Sequence, residues 1–223
     1  MTTCDSAVRA DAHPAGKEEA GRIVCRIAKL RGTAGEAPCI LSRLSPHAVH
    51  LRTLHDHRFE PRMELETVNG QRHAITRIAH DGRQARFAFV CPLDVAGFLA
   101  DRAPFARRGI RLDLGCPVRL VTAGCAVPAV LLDLSREGAG VRSPIWLTPG
   151  QRVRLVGEGL CDRVGPDLSG TVRRVEGARS GIVLDRAMTL EALALRVRLL
   201  QACDRSEARG FAAVNAPPGS ALH

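Results

Sequence analysis

The stretch DLSREGAG, Asp133 to Gly140, follows an apolar run, AVPAVLL (126–132), and precedes a strand-like segment, VRSPIWL (141–147). A tight turn between two strands needs polar residues and a glycine. This one offers more, because it presents a carboxylate, a hydroxyl and two glycines within eight positions. The stretch therefore predicts a strand, a turn and a second strand, with chemistry beyond that of an ordinary connection.

The same frame occurs once more in the chain. ILSRLSPHAVHLRT (40–53) resembles LLDLSREGAGVRSP (131–144), which sets Ser45 against Ser135 and gives a shift of 90 residues. Such internal similarity at a fixed spacing is the mark of a duplicated unit. The chain is thus predicted to contain two copies of one fold.

The shift continues along both copies. RFEPRMEL (58–65) falls against TPGQRVRL (148–155), again 90 residues apart, and both alternate apolar and polar residues as half-buried strands do. HAITRI (73–78) matches GTVRRV (170–175) with a shift of 97, since the second copy carries a longer loop, GEGLCDRVGPDLSG (157–170). Each copy is therefore predicted to consist of several short strands joined by turns.

Each copy ends in a predicted short helix, with Asp94 and Thr189 as the N-cap residues. Short strands without crossover helices predict antiparallel sheets closed into small barrels. We expect an all-β chain with one barrel over residues 20–103 and another over 104–205. Residues 1–19 and 206–223 are polar or rich in small residues and are predicted to be mobile tails.

The bulk composition describes an ordinary globular chain of 223 residues, 45% hydrophobic, with a net charge of +9. No stretch approaches the roughly 20 apolar residues of a membrane helix, and the start resembles no secretory signal. The eight cysteines form no CxxC pair and are read as reduced thiols of a cytoplasmic protein. The excess charge is carried by arginine, because lysine occurs only at Lys17 and Lys29.

Arginines cluster in RAPFARRGIR (102–111), an arm before the first strand of the second copy. Like charges repel, so such a cluster is either solvated or holds an anion. Guanidinium groups form a planar fork of donors that suits phosphate oxygens and the O6 and N7 edge of guanine. The turn would complete a guanine nucleotide site: the Asp133 carboxylate can accept from guanine's opposite edge, Ser135 can reach another polar atom, and Gly138 and Gly140 allow close approach.

These residues resemble the PilZ domain family, whose members bind cyclic di-GMP through an RxxxR arm followed by [D/N]xSxxG. The matching positions are Arg107 and Arg111, with Arg108 beside them, and then Asp133, Ser135 and Gly138. The resemblance covers roughly residues 104–200. It implies a six-stranded barrel, cyclic di-GMP as the ligand and the six named residues as its binding site, with no metal and no other cofactor.

The first copy departs from this pattern. Arg43 and Ala48 stand where the motif has Asp133 and Gly138. Arg22 and Arg26 form an RxxxR string, but the alignment places Arg26 within the first strand, against Arg119. Residues 20–103 are therefore interpreted as a degenerate PilZ-like barrel that does not bind the nucleotide.

The expected function is that of a cyclic di-GMP receptor, not an enzyme, in which the ligand changes the orientation of the two barrels. It would regulate an unidentified protein partner in motility, exopolysaccharide synthesis or a related process, as the resemblance implies. The alternative is a nucleotide-independent PilZ-like adaptor that docks a protein. Charge-driven binding of nucleic acid is a second alternative, and the 3% aromatic content supplies few stacking side chains for it. His55, Asp56 and His57 are read as a polar loop because no further ligand lies at a supporting spacing.

Overall fold

The computed structural model describes residues 21–100, 109–157 and 167–214, the last twelve of these by their backbone alone. The predicted N-terminal tail, residues 1–19, lies outside this part of the chain. Within it the strands form two closed six-stranded antiparallel barrels, one after the other. The predicted fold class is confirmed.

The first barrel is built from six strands and is followed by a short helix. In spatial order the strands run β1-β2-β3-β6-β5-β4, and β1 closes the barrel on β4. Their bounds are β1 Arg22–Gly32, β2 Gly35–Leu44, β3 Ala48–Thr53, β4 Arg62–Glu66, β5 Arg72–Asp81 and β6 Gln84–Phe89, with helix α1 at Val95–Leu99.

The second barrel repeats this topology. The order β10-β11-β12-β9-β8-β7 closes through the pairing of β10 with β7. Its elements are β7 Leu112–Val121, β8 Ala126–Leu134, β9 Gly138–Arg142, β10 Arg152–Gly157, β11 Leu168–Glu176 and β12 Arg179–Leu184, followed by helix α2 at Leu190–Val214.

Alternation of side chains along the strands gives each barrel its own core. In β4, for example, Met63 and Leu65 point inward while their neighbours face outward, since successive side chains of a strand lie on opposite faces. The first core is centred on Phe87 and Leu30, and the second contains Leu112 and Leu131. Each duplicated unit thus carries a complete hydrophobic core.

The two helices start at the predicted caps. Asp94 accepts a hydrogen bond from Ala96 N, and Thr189 Oγ1 accepts one from Ala192 N at 3.1 Å. Helix α2 is longer than predicted, because it continues to Val214 and so includes residues 206–214, which the sequence assigned to a mobile tail. Buried apolar residues recur every three or four positions along its first three turns and fix its inner face: Leu190, Leu193, Ala194, Val197 and Leu200.

The strand registers test the repeat alignment. Ser45 and Ser135 are equivalent, as the shift of 90 predicts, because each N–H bonds the carbonyl oxygen three residues later. The shift of 97 for the fifth strand is wrong. Thr76 pairs with Arg62 as Thr171 pairs with Arg152, which makes the shift 95. The error arose because moving a strand by two residues preserves its apolar alternation.

The two barrels contact each other through polar groups of β1, β2 and β7 and through apolar side chains such as Leu54, which packs in the core cluster of the second barrel. Arg31 Nη2 lies 2.6 Å from Asp113 Oδ2, and Asp113 N donates to Glu36 Oε2 at 2.6 Å. Gln201 of α2 donates to the carbonyl oxygen of Glu36 at 3.0 Å. The interface therefore joins the first barrel to the strand that begins beside the predicted ligand site. Neither helix of the described residues is long and apolar enough to cross a membrane.

Candidate ligand-binding site

Arg111 and Asp133 meet at the start of the second barrel. Antiparallel pairing sets Asp113 opposite Asp133, so the residue just before β7 lies beside the end of β8. Arg111 Nη1 is 2.5 Å from Asp133 Oδ1, and the Asp133 side chain is only 6% exposed against 48% for Arg111. The structure thus brings together the second motif arginine and the motif aspartate, which are 22 residues apart.

A second arginine occupies the other oxygen of the same carboxylate. Arg179 Nη2 donates to Asp133 Oδ2 at 3.0 Å. Arg179 begins β12, which pairs with β9 in the barrel. Arg179 was not among the residues predicted from the sequence, because its proximity to Asp133 follows from the strand order β8-β9-β12 and not from any local motif. The repeat offered one signal, because the strand pairing of one copy predicts that of the other once the order of strands in the barrel is known.

The two glycines of the turn make room for the protein's own atoms. A Cβ on residue 140 would fall 2.2 Å from Asp133 Oδ2, and one on residue 138 would fall 2.8 Å from the carbonyl oxygen of Ile182. Gly140 therefore leaves room for the Asp133 carboxylate beside β9. Gly138 allows β12 to approach the turn. Both glycines thus have a role within the fold, in addition to the predicted close approach of the backbone to a ligand.

Ser135 holds the turn closed. Its Oγ accepts from Gly138 N and donates to the carbonyl oxygen of Gly138, both at 3.1 Å. The residue is 6% exposed. Its hydroxyl therefore fixes the conformation of the motif, and its contact with the ligand stays a prediction.

A cleft of about 220 Å³ opens beside Asp133. Its wall is strongly basic, because β11 and β12 add guanidinium groups to that of Arg111, while Glu176 pairs with Arg174 at 3.4 Å. The charged residues that line it are Arg111, Asp133, Arg173, Arg174, Glu176 and Arg179. Four cations against two carboxylates favour an anionic occupant.

The predicted site residues are distributed as follows. Arg111, Asp133, Ser135 and Gly138 lie together around the turn. Arg107 and Arg108 lie outside the described residues, so their assignment stays a prediction. Within the described part of the chain, no group of three histidine, cysteine, aspartate or glutamate side chains is arranged to hold a metal ion.

The equivalent position of the first barrel lacks this chemistry. Ser45 keeps the same turn, with Oγ accepting from Ala48 N at 3.0 Å, but Arg43 stands where the second barrel has its aspartate. The register also corrects the alignment of Arg26. It pairs with Leu41 as Cys116 pairs with Leu131, so its counterpart is Cys116 and not Arg119. Arg26 instead donates to the carbonyl oxygen of Phe98 at 3.3 Å, away from the turn.

The fold and the cleft define a tandem barrel protein with a basic cleft on its second barrel. Residues 105–202 match the model of the PilZ domain, which assigns the second barrel to that family. The first barrel, which has the same strand order, fits a second PilZ-like copy. None of the curated protein sequences matches the chain.

Three solved structures are similar to the chain. The PlzA protein of Borreliella burgdorferi in complex with c-di-GMP is 12% identical over 79% of this chain and 88% of that chain, with a TM-score of 0.34. The inhibitor of motility MotI/DgrA of Bacillus subtilis is 15% identical over 85% and 99%, at 0.33. YcgR from Escherichia coli in complex with c-di-GMP is 14% identical over 85% and 88%, at 0.30. At TM-scores this low the three structures carry no argument about this chain.

Proposed function

We propose that the protein is a cyclic di-GMP receptor whose ligand binds at the cleft of the second barrel. The observation that carries the proposal is the buried Asp133 carboxylate, held between Arg111 and Arg179 at the wall of a basic cleft. The match of residues 105–202 to the PilZ domain supports the same ligand. We expect the protein to act as a receptor and not as an enzyme.

The chemistry of the cleft suits both parts of a cyclic guanine dinucleotide. Guanine presents two adjacent donors on its Watson–Crick edge, and a carboxylate such as Asp133 has only acceptors. Each phosphate carries one negative charge, for which the forked donors of arginine are well shaped. Arg111 and Arg179, which now neutralise Asp133, would turn toward the ligand when guanine takes their place on the carboxylate.

The described cleft is too small to enclose the ligand alone. Its volume of about 220 Å³ is below the roughly 300–1,000 Å³ of typical ligand pockets. We assign the missing contacts to Arg107 and Arg108 on the preceding arm. Because that arm joins the two barrels, closing it over the ligand would change the orientation of one barrel relative to the other and so signal occupancy to a protein partner.

Isothermal titration calorimetry tests the proposal. We expect binding of cyclic di-GMP by the unaltered protein, no binding at high micromolar ligand after Arg111→Ala, and at least tenfold weaker binding after Asp133→Ala. Arg152→Ala is the matched control, since Arg152 forms an exposed ion pair with Asp185 outside the cleft. Cyclic di-AMP, which lacks the paired donors of guanine, should not bind. Absence of heat with the unaltered protein and cyclic di-GMP would refute the assignment.

A further inference from the structure

Lys29 is the lysine of the first barrel, in a chain whose other basic residues are arginines except for Lys17. It lies on β1 and is 4% exposed. Its ammonium group makes three contacts: Glu36 Oε2 at 3.2 Å, Glu66 Oε1 at 3.1 Å and the carbonyl oxygen of Arg111 at 3.0 Å. An ammonium has three donors, so all three are used, and one of them donates to the backbone carbonyl of the ligand-binding Arg111.

Glu36, the ion-pair partner of Lys29, holds the next peptide group of the same segment. Its Oε2 accepts from the backbone N–H of Asp113 at 2.6 Å, while its Oε1 lies 2.5 Å from Arg31 Nε. The first barrel therefore fixes the carbonyl of residue 111 and the N–H of residue 113. Only Leu112 lies between these two anchors, and it is buried in the second core.

The position of the second barrel that corresponds to Lys29 is exposed instead of buried. The strand registers make Arg119 the counterpart of Lys29, because both pair with a proline, Pro128 and Pro38. Arg119 lies on the exposed face of β7. The buried lysine is thus a property of the first copy alone, and it faces the second.

We propose that Lys29 and Glu36 are positioning residues for the ligand site of the second barrel. They hold the backbone on both sides of Leu112, so that the Arg111 side chain leaves the barrel surface at Asp133. The inference deepens the proposed function and rests on it. The degenerate first barrel then takes part in cyclic di-GMP binding without touching the ligand, because a pre-ordered arginine loses less freedom on binding. By linkage, the ligand strengthens the contact between the barrels to the same extent.

A charge-balanced double variant, Lys29→Met with Glu66→Gln, removes the donor to Arg111 while Glu36 keeps its partner Arg31. The matched control is Glu66→Gln alone, in which Lys29 still binds Glu36 and Arg111. Titration calorimetry on the full chain should show at least fivefold weaker binding of cyclic di-GMP by the double variant and a change below twofold in the control. Should the double variant not fold, Glu36→Met, which removes the acceptor of the Asp113 N–H, tests the second anchor, with about threefold weaker binding expected.

Amide resonances of the ligand-free protein separate positioning from general destabilisation. In the double variant, the signals of Leu112, Asp113 and Asp133 should shift, while those of Val153 and Leu155 on β10 stay in place. Unchanged affinity of the double variant, or shifts spread over the whole second barrel, would overturn the inference and leave the proposed function standing. Failure of the unaltered protein to bind cyclic di-GMP would overturn both.

Discussion

Gly140 lies against Asp133 in the β8–β9 pair, and the two residues share a space that holds only one side chain. A Cβ at position 140 would fall 2.2 Å from Asp133 Oδ2, with the carboxyl carbon at 2.8 Å. Gly140 also pairs with Gly181 of β12, on its other side. The geometry of the carboxylate therefore depends on a residue that has no polar atom of its own.

Gly140→Ala should displace the Asp133 side chain, because the added methyl group occupies its place. We expect cyclic di-GMP affinity to fall at least tenfold, which corresponds to about 1.4 kcal/mol, as measured by calorimetry. Gly115→Ala in β7 is the control, since nothing lies within 4 Å of a Cβ there. Equal affinity of the two variants would show that Asp133 does not contribute to binding.

Arg179→Ala removes one of the two cations on Asp133 and one of four in the cleft. The side chain is 56% exposed, so its contribution to phosphate binding is moderate. Affinity should fall about fivefold, or roughly 1 kcal/mol, in a direct titration at fixed ionic strength. A gain in affinity would instead show that Arg179 competes with guanine for the carboxylate.

Ser135→Ala and Ser45→Ala form a matched pair, because each removes the hydroxyl that accepts from an N–H within its own turn. Each change leaves a donor without that acceptor, and the free energy of unfolding should fall by about 1–3 kcal/mol. Only the first should also weaken cyclic di-GMP binding. Denaturant unfolding and calorimetry on both variants distinguish the two turns, and a loss of binding in the Ser45 variant would contradict the assignment of the site to the second barrel.

His73 makes the stability of the first barrel depend on pH. Burial against Phe89 and Phe98 lowers the pKa of the imidazole below its ordinary value of 6.5, so the unfolded chain binds more protons than the folded one. The stability that neutral His73 contributes is fully present above pH 6.5 and is lost as the pH falls through the lowered pKa. Denaturant unfolding at pH 7.5 and 5.0 should show a smaller acid loss for His73→Gln than for the unaltered protein. His80→Gln, at an exposed position of β5, should keep the full loss.

Much of the fold could be predicted because the patterns that determine it lie within short stretches of sequence. The alternation in segments such as RMEL and RVRL predicts strands, and the repeat of Ser45 at Ser135 predicts the second barrel. Conversely, a shift of the fifth strand by two residues changes no side-chain face, so alternation alone could not distinguish 97 from 95.

The parts of the site that escaped prediction come from residues distant in sequence. Arg179 reaches Asp133 across β9, and Lys29 reaches Arg111 from a different barrel. Neither contact has a spacing signature, since each depends on which strands become neighbours after closure. The rarity of lysine was visible in the composition, but its meaning required the position of the ammonium group.

Closure of both sheets has a consequence for the way another protein can attach. Each strand of the described residues has neighbours on both sides, from the β1–β4 pair of the first barrel to the β7–β10 pair of the second. An incoming segment therefore finds no strand with a wholly unpaired edge, and β-augmentation is limited to the parts of β1 and β7 that extend beyond their pairings with β4 and β10. A partner that binds elsewhere on the barrels must recognise side chains on the outer faces of the strands, on the loops or on α2, which makes its interface open to mapping by point substitution.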